Sequence, residues 1–284
     1  LLKLFDGYVH GTISRREFLD RAAKITAGSV AASAILASLA PDYSLAQQVD
    51  PDDASIKTSY KKYASPAGAG VMQGYYARPA VVQHKLPGIV VIHENRGLNP
   101  YIEDVARRLA VEGFIAFAPD ALTPLGGYPG NDDDGRALQR QRDGAEMTED
   151  FAAAVDFLRR HPDCTGRVGA VGFCFGGGMV LRLATRIPEL SAGVAFYGRH
   201  PSADAVPAIR APLMLHHAGL DERVNAGWPD FEKALVAADR EYVNYLYEDV
   251  NHGFHNDTSR ARYDEKAATL AWKRTVDFLT ARLR

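Results

Sequence analysis

The chain has 284 residues, a formal charge of −2 and 46% aliphatic and aromatic residues, enough for one large buried core. A near-neutral balance with no Lys/Arg block beyond the N-terminal stretch gives no electrostatic case for nucleic acid. Two cysteines, Cys164 and Cys174, exclude a disulfide-rich scaffold.

Residues 1–46 read as an address rather than as part of the fold. Ser14-Arg15-Arg16-Glu17-Phe18-Leu19 resembles the twin-arginine export motif S-R-R-x-F-L. A mildly apolar run, Ile25 to Ala40, follows, and Ser44-Leu45-Ala46 forms a small-x-small cleavage pattern. The run is about 16 residues, short of the roughly 20 strongly apolar residues of a membrane span, so no stable anchor is expected after the segment is removed. This order of features implies a bacterial protein carried by the twin-arginine translocation machinery to the periplasm. An ordinary amphipathic N-terminal helix is the plainer alternative.

Residues 47–69 are polar and Pro/Asp-containing, a linker or N-terminal arm, and 70–284 are expected to form a single domain. Val71 to Ala77 alternates as an edge strand should. Gly88 to Ile92 is continuously apolar, as in a parallel strand buried on both faces. Helical spacing then runs from Ile102 to Val111, a strand from Phe114 to Ala118, and a Gly/Pro/Asp-rich loop from Ala121 to Gly135. The acidic run Asn131-Asp132-Asp133-Asp134 reads as solvated loop; it lacks the spaced ligands of a calcium loop. A helix is predicted over 136–160, strands over Ala192–Phe196, Leu213–His217 and Tyr242–Tyr247, and helices over Trp228–Ala238 and Arg260–Leu283. Strand and helix alternate, which predicts a mostly parallel sheet covered on both faces.

Within that pattern, Val168 to Val171 is a short β-branched strand that runs into Gly172-Phe173-Cys174-Phe175-Gly176, after which helical spacing resumes. This is the nucleophile-elbow pattern with Cys in place of Ser. Glycines flanking a strained tip remove side chains that would clash, and the helix behind offers N–H groups and a positive dipole end to a thiolate. A structural Cys in a Gly-rich turn is the bland reading. An extended strand between Cys164 and Cys174 separates them by roughly 15 Å, whereas a disulfide needs Cα atoms within about 7 Å. Both are therefore expected to be free.

Glu94, Cys174, Asp221 and His252 each fall just past a predicted strand, at the carboxyl edge where α/β sheets gather their chemistry. Cys174, Asp221 and His252 stand in the order nucleophile, acid, base of α/β-hydrolases. Imidazole can take the thiol proton, and a carboxylate on its other nitrogen fixes the tautomer. Alone, Asp221 reads as a turn residue and His252 as a loop histidine. His216 and His217, adjacent on a strand, point to opposite faces and cannot share a metal. His255 sits deeper in the loop. No Cys/His cluster shows zinc-ligand spacing, so the sequence supports no metal-assisted hydrolysis.

The segments H-E-N-R-G from His93, G-F-C-F-G-G from Gly172, G-L-D-E-R-V from Gly219 and N-H-G-F from Asn251 together resemble the dienelactone hydrolase family, over roughly residues 60–284. The resemblance implies a single cofactor-free α/β-hydrolase domain that acts on a small-molecule ester or lactone through a Cys174 acyl-thioester. It further implies that Glu94 contacts the resting thiol, and that the backbone N–H groups of Asn95 and Phe175 form the oxyanion hole. Two arginines bind a substrate carboxylate in the family, one four residues past the catalytic His; here that position is Asn256. The other lies near Arg136, with Arg140 and Arg142 as rivals. The loss of one arginine points to a substrate whose acid group is absent or bound differently. Thioesterase or other acyl-hydrolase activity is an alternative within the class, and a catalytically inactive exported binding protein is the alternative outside it.

Overall fold

The computed structural model describes residues 1–26 and 29–284. Residues 27 and 28, inside the expected apolar run Ile25–Ala40, lie outside the described residues. The N-terminal stretch forms α1 (Leu2–Val9), α2 (Arg15–Thr26) and α3 (Ser29–Leu39). The body then runs β1 (Ile56–Ser65), β2 (Gly70–Pro79), β3 (Leu86–Ile92), α4 (Pro100–Val111), β4 (Ile115–Pro119), α5 (Asp132–Gln139) and α6 (Gly144–Arg159). It continues with β5 (Cys164–Phe173), α7 (Phe175–Arg186), β6 (Ala192–Phe196), β7 (Leu213–Ala218), α8 (Glu222–Asn225), α9 (Trp228–Ala237), β8 (Tyr242–Tyr247) and α10 (Glu265–Leu283).

The eight strands form one sheet in the order β1-β2-β4-β3-β5-β6-β7-β8. β3 to β8 are parallel to their neighbours, while β1 pairs antiparallel with β2 and β2 with β4. Every residue of β3 is buried because both faces of the sheet are covered. Ile89 and Val91 face a core completed by α4 and α10, with Tyr101, Val105, Leu109 and Leu279. Val90 and Ile92 face the opposite core under α6, α7 and α9, with Phe151, Leu158, Leu183 and Phe231. This is the mostly parallel, doubly covered sheet that the alternating pattern predicts, in the α/β-hydrolase-like arrangement that the family resemblance implies.

Three elements differ from the sequence reading. The expected linker 47–69 contains β1, which takes the sheet edge in place of β2. Its polar sequence, with Lys57, Lys61 and Lys62, suits an edge strand facing water. The acidic run is not a free loop but the first turn of α5, capped by the Asn131 side chain accepting from the Asp134 N–H (2.9 Å). Carboxylates suit that place because a helix N-terminus carries free N–H groups and a positive dipole end. The helix predicted over 136–160 is two helices, since Asp143 accepts from the N–H groups of Ala145 and Glu146 and starts α6 afresh.

The N-terminal helices have a small apolar cluster of their own around Phe5, Val9, Phe18, Ala22, Leu36 and Leu39. Ser14 and Glu17 form a reciprocal capping box at the start of α2: Ser14 N–H donates to Glu17 Oε2 (2.7 Å) and Glu17 N–H to Ser14 Oγ (3.2 Å). Among the described residues no single helix is long and apolar enough to cross a membrane.

Candidate active site

Cys174 sits between β5 and α7 with φ 56° and ψ −111°, a left-handed backbone that a non-glycine residue adopts only under constraint. The constraint is close packing of main chain on both sides. A Cβ on Gly172 would lie 2.1 Å from the Gly176 oxygen, and one on Gly176 would lie 2.1 Å from the Ile92 oxygen. Both glycines of G-x-C-x-G are therefore required by contact. Phe175 is the first residue of α7, so its N–H is among those a helix leaves without an intrahelical acceptor. Cys174 and Cys164 are both free, as expected.

Asp221 follows β7 and caps α8, accepting from the Val224 N–H at 3.2 Å. Its Oδ2 lies 2.5 Å from His252 Nδ1, in the loop after β8. That carboxylate holds Nδ1 as the donor and leaves Nε2, which is buried without a hydrogen-bond partner among the described residues. Cys174, His252 and a third residue, His10, bring their sulfur and ring-nitrogen atoms within 4.8 Å of one another. His10 follows α1; its Nε2 is 3.4 Å from Cys174 Sγ. Its Nδ1 is 2.9 Å from the Asp6 carbonyl oxygen and 3.1 Å from the Asp6 carboxylate. The sulfur thus lies between two imidazoles, each held from behind by an aspartate.

The electrostatics follow from that geometry. Burial raises the Cys174 thiol, but the charges of His252 and His10 together outweigh it and bring the thiol down to about 5. Burial lowers His10, and the Cys174 charge with Asp6 reverses this, taking it up to about 10. His252 is likewise raised, against its burial, by Cys174 and Asp221. Arg223 completes the cluster, with Nη2 3.1 Å from His10 Nε2 and 3.3 Å from His252 Nδ1. A cavity of about 410 Å³ opens on this group, walled by Thr12, Asn95, Phe175, Tyr197 and Arg199 among others.

Glu94 stands elsewhere than expected. It is 2% exposed, makes a close ion pair with Arg96 and accepts from Asn256 Nδ2 at 3.0 Å. Arg96 in turn reaches Asp132 Oδ2 at 2.6 Å. The neighbour of the thiol is His10, not Glu94, because the buried Arg96 guanidinium competes for the carboxylate. Asn256 is buried in that network and does not line the cavity. Arg136 is also outside it: it pairs with Asp133 and lies over the Tyr8 ring. Of its rivals, Arg142 is buried against Asp150 (2.6 Å), and Arg140 opens onto a separate hollow beside Arg136. The arginines that do reach the cavity are Arg182, Arg199 and Arg223. His216 and His217 have separate partners, Tyr247 with Thr275 and His200 with Asn244, as opposite faces require. His255 is buried against Tyr101.

Sequence reasoning missed His10, Arg223 and Tyr197. Arg223 stands two residues past Asp221, inside the quoted G-L-D-E-R-V, and was legible there. His10 had no local signal. Tyr197 carries φ 39° and a ring 4.8 Å from that of His252, and only its place at the end of β6 could have drawn notice.

Comparison with known proteins agrees with this architecture. Residues 72–283 match the family model described as dienelactone hydrolase family. The chain belongs to the dienelactone hydrolase family. Its first 24 residues match a separate model described as YqhI-like. A relative from Escherichia coli K12, named "Putative hydrolase fragment YghX", is 58% identical over 105 residues, 37% of this chain and 90% of its own length. A "Putative carboxymethylenebutenolidase" from Saccharolobus solfataricus is 30% identical, covering 67% of this chain and 88% of its own. Among solved structures, a "Putative Dienelactone Hydrolase" from Klebsiella pneumoniae superposes with a TM-score of 0.69 at 26% identity, covering 79% of this chain and 99% of that one. Membership makes this chain a hydrolase of the ester and lactone class.

Proposed function

We propose that this family member cleaves a carboxylic ester or lactone through a Cys174–His252–Asp221 triad and an acyl-thioester. The observation that carries the reading is the 2.5 Å Asp221–His252 contact beside a strained Cys174 at the strand–helix turn. The Cys174 thiolate attacks the carbonyl carbon, forming the C–S bond while the carbonyl π pair moves to oxygen. Backbone N–H groups of Asn95 and Phe175 receive that oxyanion. Collapse expels the leaving oxygen, which takes a proton from His252; water, deprotonated by His252, then releases the acid and restores the thiolate. Asp221 fixes the tautomer and stabilises the imidazolium. Glu94 acts at one remove, tying Asn256, four residues past His252, to the loop after β3. A substrate acid group, where present, meets Arg199 or Arg223 rather than Arg136 or Asn256.

Export is part of the same reading. The S-R-R-E-F-L motif directs the chain through the twin-arginine machinery to the periplasm, and the body from β1 onward works there as a single domain. The test is a panel of chromogenic esters, thioesters and dienelactone with wild type and Cys174→Ala. The variant is expected to lose kcat by on the order of 10⁴-fold or more, together with stoichiometric iodoacetamide labelling. Equal turnover by wild type and Cys174→Ala would reject the triad. A preference for thioesters would favour the thioesterase reading, which the same triad serves.

A further inference from the structure

We infer that His10, Cys174 and His252 form a three-ligand site for a thiophilic divalent cation of the zinc type. This does not depend on the hydrolytic reading, and the inference concerns equilibrium binding alone. The donor set is one sulfur and two imidazole nitrogens, which suits zinc and cobalt and disfavours calcium or magnesium. With zinc–sulfur and zinc–nitrogen bonds of about 2.3 and 2.0–2.1 Å, tetrahedral angles set the ligand atoms about 3.5 Å apart. His10 Nε2 and Cys174 Sγ are already at 3.4 Å, and no pair in the set exceeds 4.8 Å. Modest side-chain rotation closes the set.

The atoms behind the ligands point the same way. A metal-binding imidazole ordinarily gives its other N–H to a carboxylate or carbonyl, which fixes the tautomer and raises ligand basicity. Both histidines have this arrangement. His252 Nδ1 meets Asp221 at 2.5 Å, and His10 Nδ1 meets the Asp6 carbonyl and carboxylate. His252 Nε2 is buried with no hydrogen-bond partner among the described residues. The fourth position opens on the cavity, where water can complete the tetrahedron.

Arg223 is the competitor. Its guanidinium lies against both histidines, close to Asp6 and Asp221 (3.8 Å each). The surroundings therefore already accommodate a cation, and this one is only partly buried, with 24% of its side chain exposed, so it can swing aside. On binding, the protons carried by His10 Nε2 and His252 Nε2 leave to solvent, the sulfur ligates as the thiolate, and no other bond changes. Because His10 belongs to the N-terminal stretch that export would remove, the site belongs to the uncleaved chain, where the cation would fasten that stretch over the nucleophile.

The experiment is titration of the full-length chain with Co²⁺, followed by Zn²⁺ competition. One Co²⁺ per chain is expected, with a thiolate-to-cobalt charge-transfer band and the visible bands of tetrahedral coordination. Cys174→Ser should abolish the charge-transfer band. His10→Ala should weaken Zn²⁺ by at least about 100-fold, and Asp6→Asn, which keeps all three ligands, by about 10–100-fold. Arg223→Gln should tighten it. If His10→Ala fails to fold, Asp6→Asn and Arg223→Gln still decide. Absence of the charge-transfer band in wild type overturns the inference, as does a Zn²⁺ affinity unchanged by Asp6→Asn or weakened by Arg223→Gln.

Discussion

At Cys174, backbone strain and electrostatics act on the same atom. The left-handed φ turns the sulfur outward from the end of β5, and two flanking imidazoles favour its ionised form over the effect of burial. An acid lowered to about 5 is charged above that pH, so iodoacetamide alkylation is expected to rise with a midpoint near pH 5 and stay level above it. A midpoint near 8.5, the value of a free thiol, would contradict the two-imidazole environment. His10→Ala should move the midpoint upward, since one of the two favourable charges is lost. Gly176→Ala places a methyl 2.1 Å from the Ile92 oxygen, where only backbone can yield. It should destabilise the chain by about 3 kcal/mol or more, read by urea unfolding. Cys174, Asp221 and His252 were legible because each follows a predicted apolar strand, and topology brings such ends to one edge. The partner of Glu94 was not, because Arg96 and Asn256 compete for that carboxylate through contacts that no spacing records.

At the level of elements, the inner strands such as β3, β4 and β6 were readable from their continuous apolar runs, since burial on both faces leaves little room for polar residues. β1 escaped notice for the opposite reason: one side of an edge strand meets water, so Lys57-Thr58-Ser59-Tyr60-Lys61 resembles a loop. The break between α5 and α6 was hidden because residues 139–143 hold no Pro or Gly to mark a stop, while a single carboxylate restarts the helix. Asp143 accepts from two backbone N–H groups at 2.8 and 2.9 Å. Asp143→Ala should therefore cost about 1 kcal/mol, measured as a shift in the urea midpoint with unchanged slope.

Across the whole molecule, the unexpected feature is where α1 lies. Val9 accepts from Asn95 Nδ2 at 2.9 Å, Lys3 reaches Glu222 at 2.8 Å, and Arg262 lies over the Phe5 ring, so α1 is seated beside the catalytic edge. Nothing in the local sequence announces this, because docking depends on three distant segments that only the folded sheet assembles. A chain that starts at residue 47 should lose one wall of the cavity. At pH 8 its Cys174 is expected to react faster than full-length protein with a bulky maleimide, followed by mass spectrometry. Equal rates would mean that α1 leaves the sulfur open.

The Ser14–Glu17 box carries a practical consequence for genetics. The same tetrapeptide both starts a helix and carries the proposed export motif, so if that proposal holds Ser14→Ala alters folding and sorting together and its phenotype would be ambiguous. The two arginines between them make neither reciprocal cap bond. A paired Arg15→Lys, Arg16→Lys exchange would therefore vary the proposed export signal while sparing the helix start, separating a cell-biological defect from a structural one.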